Sequence, residues 1–87
     1  MEIKNNVILS MVRQNLVKIP GVDKKAKHII GFENNIISIC FSPISYLINI
    51  FEIAKRVQMI IHDNLYKNLK KDIIINVRVI NPNNNSL

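Results

Sequence analysis

Four residues in this chain could carry chemistry by type: His28, Cys40, His62 and Asp63. A metal pair on a helix needs ligands three or four residues apart, so that both leave from one face. Neither histidine has a second good ligand at that spacing. Adjacent residues on a helix point about 100° apart, so His62 and Asp63 read as ordinary surface or boundary residues. Cys40 falls in a predicted strand without the local setting of a nucleophile, and it reads as a small buried hydrophobe. A lone cysteine forms no internal disulfide and suits a reducing cytoplasm. Gly21 and Gly31 are isolated. The chain thus lacks both a Gly-rich phosphate loop and the Gly-x-x-Gly loop with which KH domains clamp RNA. The expectation is a protein that is not an enzyme, with no catalytic residues, no cofactor, no metal and no small-molecule substrate.

The remaining polar signal is charge. Twelve Lys and Arg against six Asp and Glu give a net charge of +6 in 87 residues. Such a surface attracts nucleic acid or anionic lipid. An excess of Ile, Asn and Lys is also what an AT-rich genome encodes, which accounts for many lysines about equally well. Two clusters are the candidate anion-binding residues: Lys24, Lys25 and Lys27, and Lys67, Lys70 and Lys71. The second falls at a helix C-terminus, where cations favour the helix dipole. Aromatic partners for base stacking are sparse, and Phe41 reads as core. A small basic, KH-like nucleic-acid-binding domain is therefore the alternative reading.

The elements that must position these residues are legible from period. Length sets one domain, with a core burying roughly 60–65% of the unfolded surface. Residues 2–4 read as a short edge strand, and Asn5 or Asn6 as the cap of a first helix. Its apolar positions are Ile8, Met11, Val12, Leu16 and Ile19, and Pro20-Gly21 ends it. Residues 27–32 and 36–42 read as strands joined by the turn Glu33-Asn34-Asn35. The residues that follow Ser42-Pro43 lead into a long helix over 49–69. Asn49 and Glu52 form a capping box there, Ile48 and Ile53 a hydrophobic staple, and Ile50, Ile53, Ala54, Val57, Ile61 and Leu65 the inward stripe. After Lys71 the period becomes two: Ile73, Ile75, Val77 and Val79 face the core and Ile74, Asn76, Arg78 and Ile80 the other way.

The predicted fold is α+β, a single domain over residues 1–80 in the order β-α-β-β-α-β, with one mostly antiparallel sheet and both helices on one face. Ferredoxin-like and KH-like arrangements both satisfy that order. Residues 81–87 read as a polar tail. No apolar run nears the roughly 18 residues of a membrane span. The N-terminus lacks the pattern of a secretory signal.

Two stretches taken together carry a family likeness. Ile19-Pro20-Gly21-Val22 closes the first helix. Ile48-Asn49-Ile50-Phe51-Glu52-Ile53-Ala54-Lys55-Arg56-Val57-Gln58 opens the second, and Asn76-Val77-Arg78-Val79 closes the chain's last strand. In order and distance they resemble the alkaline-shock (envelope stress response) proteins of Gram-positive bacteria and their relatives, over about residues 7–80. Where those proteins carry a Gly before the long helix, this chain has Leu47, and Phe51 stands in place of a first-turn Pro. The Gly between helix and last strand is absent, with Asn68 the candidate for the left-handed position. The resemblance implies a non-catalytic adaptor or scaffold held near the cytoplasmic face of the membrane through a protein partner. It supplies no catalytic residues.

Leu47, Phe51 and Met59 are the candidate partner-binding residues. Core packing is the simpler reading of the three, and an exposed apolar patch used for association is the other. The chain is expected to be cytoplasmic and to self-associate or bind a protein partner, with peripheral membrane association through that partner and only weak nucleic-acid binding.

Overall fold

The computed structural model describes residues 4–80. The elements are α1 (Asn5–Leu16), β1 (Ile29–Glu33), β2 (Ile36–Phe41), α2 (Ile50–Leu69) and β3 (Ile74–Val79). They form a small α+β domain with a three-stranded mixed sheet in the order β1-β2-β3. β1 and β2 make an antiparallel hairpin, and β3 runs parallel to β2.

That parallel pair corrects the expected mostly antiparallel sheet. A helix between two strands returns the chain to the end where it began, so β2-α2-β3 is a crossover that delivers β3 parallel to β2. Because these two strands are direct neighbours, the split arrangement of ferredoxin-like folds does not arise. The expected first strand falls mostly outside the described residues, and Lys4 is the N-cap residue of α1. Its carbonyl accepts from Val7 and Ile8, with no side-chain cap, so Asn5 and Asn6 lie inside the helix instead of capping it.

Both helices bury their stripes against one face of the sheet. Ile8, Val12 and Leu16 come from α1, Ile53, Val57, Ile61 and Leu65 from α2, and Ile37, Ile39, Phe41, Ile73 and Ile75 from β2 and the chain at β3. Asn15 ties the helices together, its Nδ2 donating to Met11 O at 2.8 Å and to Asn64 Oδ1 at 3.1 Å. Half of the expected capping box forms at α2: Asn49 Oδ1 accepts from the Glu52 N–H at 3.2 Å, and the Glu52 side chain makes no return bond to the Asn49 N–H.

Three turns set the geometry. Asn34 and Asn35 both take positive φ, 52° and 62°. This is the two-residue hairpin turn whose twist matches the strands. Around Pro20-Gly21 the Val22 N–H donates to Ile19 O, with Gly21 at φ 99°. A Cβ on Gly21 would lie 2.8 Å from Ile53 Cδ1, so that turn and α2 approach closely only because the residue is glycine. At the end of α2 it is Lys70, not Asn68, that turns left-handed, at φ 57°.

Candidate functional site

β3 is an edge strand, and α2 lies along it. The Ile74 N–H donates to Asn35 O and the Ile80 N–H to Phe41 O, both toward β2. Since strand residues alternate, the N–H and C=O of Ile75, Val77 and Val79 point away from the sheet. The Gln58 Nε2 reaches the Ile75 carbonyl at 3.0 Å. Among the described residues nothing pairs with the outward groups of Val77 and Val79.

A groove follows this seam. One end is lined by Ile50, Phe51, Ala54, Val77 and Val79. The other is lined by Lys55, Gln58, Met59, His62, Asp72 and the start of β3. Phe51 is 79% exposed and Met59 62%. Val77 and Val79 are only half-buried, because α2 covers the inner part of β3 and leaves its rim open. The reading of Leu47, Phe51 and Met59 as core is thus corrected, since all three are exposed. Two of them, Phe51 and Met59, flank the groove. Leu47, at 98% exposure, stands apart at the tip of the loop before α2.

The far end of the groove is closed by a polar clip. The His62 ring nitrogens meet Asp72 Oδ1 at 2.8 Å and Asp63 Oδ1 at 3.5 Å. Tyr66 stacks on the ring at 6.3 Å. The hydrogen bond to Asp72, then that to Asp63, raises the His62 pKa above its usual value, against a smaller desolvation effect. The pairing was invisible to spacing arguments. Asp72 comes back beside the helix only because Lys70 reverses the chain. Comparison of the chain with models of protein families, with curated proteins and with solved structures finds no match.

The lysine clusters lie at opposite ends of the sheet. Lys67, Lys70 and Lys71 sit where α2 hands over to β3, beside the hairpin turn, as the Asn35 Nδ2 bond to Asp72 O shows. Lys24, Lys25 and Lys27 precede β1, beside the end of β2, where Asp23 N–H donates to Ser42 O. One continuous anion patch is therefore not assembled. The ion pairs among the described residues involve His62 alone, so no described Lys or Arg lies within 4 Å of a described carboxylate.

The sheet face away from the helices is a grid of nine residues set by register. Its rows are Ile29, Cys40, Arg78; Gly31, Ser38, Asn76; and Glu33, Ile36, Ile74. Cys40 is half-buried on this face, where full burial was expected. The face carries no aromatic ring on which a base could stack. Phe41 is fully buried on the helix side. Among the described residues no three His, Cys, Asp or Glu side chains group to hold a metal, and no helix is long and apolar enough to cross a membrane.

Proposed function

We propose that this protein is a non-catalytic adaptor or scaffold module that works by protein–protein association near the cytoplasmic face of the membrane, in the manner of the envelope stress response proteins it resembles. What supports the resemblance is that the motifs fall on the elements they imply. Pro20-Gly21-Val22 follows α1, although the helix ends at Leu16 and not at Ile19 as expected, Asn49 caps α2, and Asn76-Val77-Arg78-Val79 lies in β3.

One observation carries the association reading: the open rim of β3 beside the exposed Phe51 and Met59. Strand addition at such an edge gains main-chain hydrogen bonds, while neighbouring apolar side chains add area and selectivity. The occupant is a second copy of the chain. Pairing β3 antiparallel with itself about Val77 sets Ile75 opposite Val79 and Arg78 opposite Asn76. No two like charges then stand directly across, and the half-buried valines are covered. The seam between α1 and β1 is flanked instead by Arg13 and Lys27, and Ile29 is its one strongly exposed apolar residue, where the β3 rim has two.

Sedimentation of the wild-type chain against Phe51→Glu combined with Met59→Glu tests this. Both side chains are exposed, so the fold survives and the particle becomes smaller. A wild type that stays monomeric at high micromolar concentration contradicts self-association.

A further inference from the structure

We propose that the end of the domain carrying the loop between β2 and α2 docks directly on an anionic lipid surface. The proposal does not rest on association along the α2–β3 seam. In that loop Ile44 is 62% exposed, Tyr46 42% and Leu47 98%. Among the described residues the Leu47 side chain is left almost wholly uncovered. Its neighbours make the segment a protruding apolar tip, where a protein groove would be concave.

The same end carries the exposed Lys24, Lys25 and Lys27. Together with Lys18 and Arg56 they outnumber the carboxylates Asp23 and Glu52. Their loop and the apolar loop are fastened to each other. The Asp23 N–H donates to Ser42 O and the Ile44 N–H to Gly21 O, both at 2.9 Å. His28 locks the base. Its Nδ1 accepts from the Ser42 N–H at 3.1 Å, so Nε2 holds the proton and donates to Asp23 O at 2.8 Å. Arg56 closes the other side on Pro20 O at 2.7 Å. Cations and apolar tip are thus held side by side by the backbone.

Charge and shape together select the occupant. Peripheral binding to a bilayer combines apolar area sunk into the headgroup boundary with attraction to anionic lipid. A second copy would bring its own lysines against these. Nucleic acid would use the lysines and leave Ile44 and Leu47 in water.

The chain contains no Trp, so Leu47→Trp places a single reporter at the tip, and Tyr66→Trp places one at the opposite end. The probe is a vesicle of phosphatidylcholine with roughly one-third phosphatidylglycerol. On binding, Trp emission at position 47 shifts to the blue and is quenched by lipids brominated in the acyl chain. Emission at position 66 does not change. Ile44→Asp and Leu47→Asp each weaken vesicle binding on the order of tenfold. Neutralising Lys24, Lys25 and Lys27 to Gln weakens it about fivefold per lysine. Unchanged emission at position 47 on vesicles that carry the protein down overturns the proposal, as do equal shifts at both positions or equal binding to pure phosphatidylcholine. A blue shift that follows protein concentration without vesicles also overturns it, and assigns the tip to a second copy. Particle size without vesicles reports the seam separately, so the two readings fail independently.

Discussion

Lys70 occupies a backbone conformation, φ 57°, in which an L side chain costs roughly 1–2 kcal/mol. Lys70→Gly removes that cost and gives back part of it in unfolded-chain entropy, so a gain of about 0.5–1 kcal/mol in unfolding free energy is expected, read as a higher midpoint in urea denaturation. His62 is the residue whose titration follows from its neighbours. Asp72 and Asp63 raise its folded pKa, so its stabilising contribution is complete below the unfolded value of about 6.5 and is lost as pH rises through the folded value. Asp72 is exposed and its pair with His62 is screened, so the effect is small, within about 1 kcal/mol. The difference in unfolding midpoint between wild type and Asp72→Asn should be larger near pH 5.5 than near pH 8, by pH-dependent denaturation. A difference that grows toward high pH would reverse the assignment.

At the scale of elements, β3 combines an inward apolar set with an open rim. Val77→Pro deletes an N–H that points away from β2, and proline is tolerated on an edge strand. The variant should keep its circular dichroism and cooperative melt while its sedimentation coefficient falls to that of the monomer. Asn76→Pro should instead break the ladder to β2 and unfold the sheet. The elements themselves were largely legible. The period-two run and the stripe at Ile53, Val57, Ile61 and Leu65 fixed faces, and Asn49 fixed a boundary, because burial and capping act locally. Strand direction and sheet order were not legible, since both depend on how the α2 crossover returns the chain. The start of α1 was missed for a different reason. Any carbonyl accepts the first helical amides, and Lys4 supplies one without a side-chain signal. The exposure of Phe51 and Met59 was partly legible, since neither belongs to the stripe of Ile50, Ile53, Ala54, Val57, Ile61 and Leu65, but both are apolar, and periodicity alone leaves open whether other parts of the chain cover them.

For the whole molecule, the two ends of the sheet carry different surfaces. One end joins Lys24, Lys25 and Lys27 to the apolar tip at Leu47; the other joins Lys67, Lys70 and Lys71 to the His62 clip. The α2–β3 seam runs between them. That separation leaves each basic cluster about three cations, so duplex DNA binding should be weak and lose roughly 0.9 log units per neutralised phosphate with log salt. Sub-micromolar, sequence-selective binding at physiological salt would favour the nucleic-acid alternative over a scaffold. The central claim is association through the rim of β3, and amide hydrogen exchange resolved by residue reads it directly. The amides of Val77 and Val79 should exchange quickly in dilute solution and slow as the chain is concentrated, while those of β2 stay protected throughout. Equally fast exchange at Val77 and Val79 at every concentration would contradict the account.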